Sequence, residues 1–123
     1  MSFTYLASPY SHDDPAVRAA RYHEALDCVA WMIGRKIWVY SPIAHCHEVA
    51  LRHGTGTDHA SYIEYNHAMI EASRSLLILA IDGWRESAGV ADERRHAAFI
   101  GRPVSYAIKL RDGYDFTTER PRS

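Results

Sequence analysis

Ser75-Leu76-Leu77-Ile78-Leu79-Ala80-Ile81 is a stretch that ends in six consecutive apolar residues. It runs straight into Asp82-Gly83-Trp84-Arg85-Glu86-Ser87-Ala88-Gly89-Val90-Ala91-Asp92-Glu93. The apolar run is far too short to cross a membrane. Its near-continuous character from Leu76 to Ile81 is that of a strand buried on both faces of a parallel sheet. Asp82 to Gly89 then reads as a loop, and Val90 to Ile100 as a helix closed by Gly101. Pro103 to Ile108 supplies a further strand. Working back toward the N-terminus, Lys36 to Tyr40 reads as a strand ended by Ser41-Pro42, and Phe3 to Ala7 as a strand that stops at Ser8-Pro9. Between them, Asp13-Asp14-Pro15 has the signature of a helix start. That helix is expected to run to about Ile33, burying Ala19, Tyr22, Leu26, Val29, Ala30 and Ile33, with Gly34 as its stop. After Pro42 the pattern predicts a short helix around Glu48 to Arg52 and a loop through Gly54-Thr55-Gly56-Thr57. A further helix, capped by Asp58 or Ser61, reaches about Ser73.

Strands alternate with helices four times, which argues for a parallel sheet with helices on both faces. The expected architecture is a three-layer αβα, flavodoxin-like doubly wound sheet of four or five parallel strands in order 2-1-3-4. It occupies residues 1–110, and residues 111–123 form a tail with little apolar content, loose or packed on a neighbour. In such sheets ligands sit beyond the carboxyl ends of the strands. The loops Ser8 to Asp13, Ser41 to His47 and Asp82 to Gly89 are therefore where a site belongs.

With 123 residues the chain suffices for one domain with a real core. The formal net charge is −1, with acidic and basic residues interspersed. That excludes the basic stripe of a protein that grips nucleic acid and leaves room for a small anionic metabolite. Met-Ser-Phe-Thr-Tyr-Leu is no signal peptide, and Cys28 and Cys46 make no disulfide framework. A cytoplasmic location, away from membranes, is the expectation.

Chemistry is concentrated where the apolar strand enters its helix. Backbone N–H groups at a helix start point at whatever sits there. Ser87 is placed as a cap, and Gly89 lets the chain approach a ligand closely. Glu93 falls within the first helical turn or so, where the dipole favours its ionised form. An ionised carboxylate beside a sugar is what a retaining glycosidase needs as nucleophile. The same features also occur with no such role, because first-turn carboxylates and Ser-x-Gly turns are common.

The opening Tyr5-Leu6-Ala7-Ser8-Pro9-Tyr10, and Ser87-x-Gly89-Val90-x-x-Glu93 followed by Ala97 and Gly101-Arg102-Pro103, resemble the nucleoside 2-deoxyribosyltransferase-like family, including its nucleoside 5′-monophosphate N-glycosidases. The likeness runs from Tyr5 to Tyr106 in the same element order. Ser41-Pro42-Ile43-Ala44-His45 and Gly83-Trp84 look like an uncharacterised bacterial and phage branch. The resemblance implies that Glu93 attacks C1′ of the sugar and that Tyr5 lies beside it. Six residues before the nucleophile, base-exchanging relatives tend to carry aspartate and the nucleotide hydrolases serine. Ser87 stands there, which favours a 5′-phosphate. One departure is Asn66, where relatives usually carry an aspartate. An amide orients a hydroxyl or a base but supplies no titrating proton. The acid that protonates the leaving base is thus open between Asp82, Glu86, a histidine and solvent.

The resemblance implies N-glycosidic cleavage of a 2′-deoxynucleoside 5′-monophosphate or related nucleoside, by hydrolysis or base transfer. Glu93, Tyr5 and Asn66 form the catalytic set, with Ser8, Pro9, Tyr10, His45, Asp82, Trp84, Ser87, Gly89 and Val90 around the substrate. His45 is expected at phosphate or base, and Trp84 stacked on the base. His45-Cys46-His47, His53, His59 and His67 match no established zinc spacing, so no metal is expected, and the scheme requires no cofactor. Family members are homo-oligomers, so a homodimer or larger assembly is expected. A non-catalytic nucleotide-binding sensor or effector on the same scaffold is the competing function.

Overall fold

A computed structural model describes residues 2–54, 60 and 62–122. Its elements are β1 (Thr4–Ala7), α1 (Pro15–Gly34), β2 (Val39–Tyr40), α2 (Pro42–His53), α3 (Ile63–Ala72), β3 (Ser75–Leu79), α4 (Ala88–Phe99), β4 (Val104–Leu110) and β5 (Gly113–Thr117). The sheet order is β2-β1-β3-β4-β5. The first four strands are parallel, and β5 returns antiparallel to β4. This is a three-layer, flavodoxin-like α/β fold.

Strand alternation builds two cores. Tyr5 and Ala7 of β1 and Leu76 and Ile78 of β3 face one side with Ile70, Val90 and Ala97 of α3 and α4. Leu6, Leu77 and Leu79 face the other side with Cys28 and Met32 of α1. Successive side chains of a strand point to opposite faces, so an unbroken apolar run is what a doubly covered strand requires.

Several elements depart from the sequence reading. In α1 the fully buried residues are Ala25, Cys28 and Met32, while Ile33 is 55% exposed. The buried stripe therefore lies one residue earlier than the expected one, a rotation of about 100°. The cause is a third neighbour. Trp31 packs edge-on against Tyr114 and Phe116, at 5.4 and 5.7 Å between ring centroids, and Tyr22 turns toward α2. Those aromatics come from β5, so residues expected in a tail that is loose or packed on a neighbour form the edge strand of the sheet. Gly113 packs against the Trp31 indole, and a Cβ there would stand 2.5 Å from its nitrogen.

Gly34 remains helical, and the left-handed residue is Lys36, at φ 60°. The turn consumes residues expected in the strand, leaving β2 with only Val39 and Tyr40. Helix α2 is a full twelve residues, because Ser41 caps the N–H of Ala44 at 3.1 Å and Pro42 occupies the first helical position. Thr55, Gly56 and Thr57 of the expected loop, the proposed caps Asp58 and Ser61, and His59 lie outside the described residues.

Candidate functional site

The loops after β1, β2 and β3 meet over a cavity of about 560 Å³. Ser8, Tyr10 and Ser11 come from the first, Pro42, Ile43, Cys46, His47 and Ala50 from the start of α2, and Glu86 to Gly89 from the third. Asn66 and Ile63 of α3 complete the wall, and Glu93 of α4 lies in it. Gly83, at φ 90°, presses the third loop against the Arg21 guanidinium of α1, where a Cβ would collide. Arg21 in turn donates from Nη1 to the Ser11 carbonyl at 3.0 Å, tying two of the loops together.

Ser87 is the cap of α4, its hydroxyl accepting the Val90 N–H at 3.1 Å. Counting from Ala88, Glu93 is the sixth helical residue. It therefore sits in the second turn, beyond the strongest reach of the dipole, instead of the first. It is 4% exposed. Tyr5 donates its hydroxyl to Oε2 at 2.6 Å, and Asn66 Nδ2 donates to the same oxygen at 3.2 Å. Burial dominates its electrostatics and pushes the carboxyl from the ordinary 4.5 up to about 8. The Tyr5 hydrogen bond pulls it down, the Asp92 charge pushes it up, and the Asn66 bond pulls it down. Glu93 accordingly favours its protonated form at neutral pH, against the ionised state expected from helix position.

Across the cavity, Tyr10 and His47 form a pair, the phenol oxygen 2.5 Å from Nδ1. Burial pushes Tyr10 up and His47 down. A neutral phenol and a neutral imidazole thus share one hydrogen bond, whose direction is set by the imidazole tautomer. Tyr22 stacks on the same ring at 4.1 Å.

Ser8, Tyr10, Asn66, Ser87, Gly89 and Glu93 are thus brought together, with Tyr5 directly behind Glu93. The remaining expected residues go elsewhere. Pro9 is fully buried core. Val90 is also core, and its N–H is taken by Ser87. His45 is exposed on α2 between the Tyr40 and Tyr65 rings, 5.7 and 6.2 Å away. Asp82 and Trp84 line a separate recess of about 140 Å³. Trp84 is buried beside Tyr106, with Arg85 and Arg120 over its ring, so it does not stack in the cavity that holds Glu93.

Sequence reasoning missed His47, Ile43 and Cys46, although a signal for them exists. With the helix starting at Pro42, positions 43, 46, 47 and 50 share one face, and 45 turns away. Among the described residues no three His, Cys, Asp or Glu side chains converge as metal ligands. His67 instead pairs with Asp92 at 2.6 Å and stacks at 4.0 Å on His96, which meets Glu71 at 2.9 Å. No described helix is long and apolar enough to cross a membrane.

No curated protein matches the chain. Residues 2–108, which hold every residue of the cavity, the first three parallel strands and most of β4, match one family, and the chain belongs to it: the domain of unknown function DUF1937.

Proposed function

We propose that the cavity cleaves the N-glycosidic bond of a nucleoside or nucleoside 5′-monophosphate, with Glu93 as nucleophile. The observation that carries the reading is a buried carboxyl in a cavity wall, held by two donors on one oxygen so that Oε1 is left to react. The cavity volume falls in the range of small-molecule sites. Resemblance of the Tyr5 strand and the Ser87-to-Glu93 segment to nucleoside 2-deoxyribosyltransferase-like enzymes supports the same assignment.

In the reaction the Glu93 carboxylate forms a bond to C1′ while the C1′–N bond breaks, its electron pair leaving with the base. The base takes a proton. Of the donors open at the sequence level, Asp82 does not line the cavity, whereas Glu86 and His47 do. Water then attacks C1′ and returns a proton to the group that protonated the base, while the C1′–O bond to Glu93 breaks, freeing the carboxylate and releasing the sugar. A second base in place of water gives base exchange. The positive charge that develops on the sugar favours the ionised carboxylate, offsetting the burial that favours its neutral form.

The polar end of the cavity, at Ser87 and the first turn of α4, suits the 5′ group. The apolar wall of Pro42, Ile43, Ala50 and Ile63, with His47, suits the base. The test is release of free base from a panel of nucleosides and 5′-monophosphates. Glu93→Gln is expected to lower it by several orders of magnitude with the fold intact. In the wild type, kcat/KM rises with pH along one ionisation near 8, and a slow substrate leaves a sugar ester on the Glu93 peptide by mass spectrometry. Normal turnover by Glu93→Gln overturns the assignment. Binding without release of base favours the sensor alternative.

A further inference from the structure

The hydrogen-bond accounting around Glu93 leaves two protein groups unmatched. Asn66 is 5% exposed and spends Nδ2 on Glu93, but its Oδ1 is buried with no partner among the described residues. Ser8 is equally buried, and its Oγ is likewise without a partner. Both side chains line the cavity that holds Glu93. A buried acceptor left unmatched destabilises the fold, because it gives up its hydrogen bond to water and gains none in return. Oδ1 can only accept, so the group that satisfies it must be a donor.

The position of Oδ1 narrows the choice. Nδ2 stands 3.2 Å from Glu93 Oε2. The two heavy atoms of one amide are about 2.3 Å apart, so Oδ1 lies within about 5.5 Å of that carboxylate oxygen. A carbon poised for attack sits about 3–3.5 Å from the nucleophilic Oε1, which is about 2.2 Å from Oε2 across the same carboxylate. The hydroxyl nearest to an attacked C1′ is the one on C2′, two bonds away. The 3′-hydroxyl is a carbon further, and the 5′-oxygen leaves from the opposite side of the ring. We infer that the substrate carries a 2′-hydroxyl, which donates to Asn66 Oδ1, making this a site for ribosides over 2′-deoxyribosides. The inference rests on the Glu93 assignment and departs from the deoxy-sugar preference implied by the sequence resemblance.

The same contact serves catalysis. An electronegative 2′-oxygen opposes positive charge at C1′, and donation of its proton into a hydrogen bond returns electron density to it. Bonds to the 2-hydroxyl of a sugar strengthen as the transition state forms. Asn66 thus links the nucleophile to the substituent next to the reacting carbon. An aspartate at this place would set a second carboxylate against Glu93.

The first test needs no variant and no knowledge of the base. The wild-type chain is titrated by calorimetry with D-ribose, 2-deoxy-D-ribose and 2-deoxy-2-fluoro-D-ribose, each with and without a 5-phosphate. Ribose is expected to bind about tenfold or more tighter than 2-deoxyribose. The fluoro sugar is expected to be weakest, because fluorine cannot donate and faces the Oδ1 lone pairs. Equal or tighter binding of 2-deoxyribose overturns the inference.

The second test is kinetic. The ribo-to-deoxy ratio of kcat/KM is expected to fall about tenfold in Asn66→Ala, a comparison that cancels the intrinsic lability of deoxyribosides. An unchanged ratio overturns the inference and leaves Glu93 as nucleophile. Ribose-selective binding with no base released from any nucleoside or nucleotide overturns the Glu93 assignment and leaves 2′-hydroxyl recognition standing. Release of base with no sugar selectivity overturns only the inference.

Discussion

Glu93 is held between opposing demands, since burial favours its neutral form while Tyr5 and Asn66 donate to its charged form. Burial is the largest influence, and the carboxyl lies near 8. The Tyr5 bond is short, at 2.6 Å, and the phenol is itself pushed well above its ordinary value by burial and by Glu93, so it keeps its proton and donates it. A hydrogen bond to a charged group contributes roughly 1.5–3 kcal/mol to the form it favours. Tyr5→Phe preserves the packing of β1 and removes this support. The Glu93 carboxyl is then expected to rise further, moving the ascending limb of the pH–rate profile up by about one pH unit or more. At pH 7 the variant loses about tenfold or more in kcat/KM, and part of the loss is recovered at pH 9. A uniform loss at every pH with an unmoved midpoint assigns the Tyr5 hydroxyl to the sugar in place of the carboxylate.

At the scale of elements, the start of α4 carries the substrate prediction and the end of α1 the stability prediction. The Ser87 hydroxyl accepts from Val90 and keeps its own proton for a ligand, while the neighbouring first-turn amides have no acceptor within the helix. Ser87→Ala is expected to weaken use of 5′-monophosphates by about 10–100-fold while sparing the matched nucleosides, at a stability cost of about 1 kcal/mol. Steady-state kinetics on one such pair checks it, and equal slowing of both makes Ser87 a cap alone. Glu86, which also lines the cavity, opposes a phosphate and bounds this preference. At the other helix, Gly34 is helical, exposed and has open space where a Cβ would stand. Gly34→Ala is expected to stabilise the chain by about 0.5–1 kcal/mol, read from the urea midpoint. These two helix ends also mark what the sequence made legible. Ser87 as a cap and the apolar β3 strand follow from local chemistry, and with them the parallel order of four strands. The α1 face did not follow, because Trp31 and Tyr22 answer to partners on β5 and α2 that helical periodicity cannot see. Gly-Tyr-Asp-Phe-Thr has too little apolar content to announce a strand, yet its alternating aromatics find Trp31. His47 became readable only once α2 was known to begin at Pro42, since that start decides which of two nearby histidines faces the cavity.

Across the whole molecule, the sheet joins residues 88 positions apart, setting the Tyr5 hydroxyl of a central strand against the carboxyl of a helix on its face. Glu93 therefore charges inside the folded core, and its titration bears on the stability of the entire chain. Unfolded, the group ionises near the ordinary 4.5, and folded near 8. Below pH 4.5 both states hold the proton and Glu93 imposes no penalty. Between 4.5 and 8 the unfolded state releases the proton first, so each rise in pH favours unfolding, by up to about 1.4 kcal/mol per pH unit. Above 8 both states are ionised and the penalty is constant. Glu93→Gln removes this titration and leaves every other group, including the His67–Asp92 and His96–Glu71 pairs, in both proteins. Urea denaturation of the two proteins from pH 5.5 to 8.5 isolates the carboxyl, because titrations common to both cancel in the difference. The wild type is expected to lose about 2–3 kcal/mol relative to Glu93→Gln between pH 5.5 and pH 8, then to run parallel to it. A difference that stays flat across this range means that Glu93 is already ionised at pH 5.5, stabilised by Tyr5 and Asn66 more strongly than burial opposes it. The ascending limb near 8 in the rate profile then disappears as well, so the stability curve and the kinetic curve test the same proton from two sides.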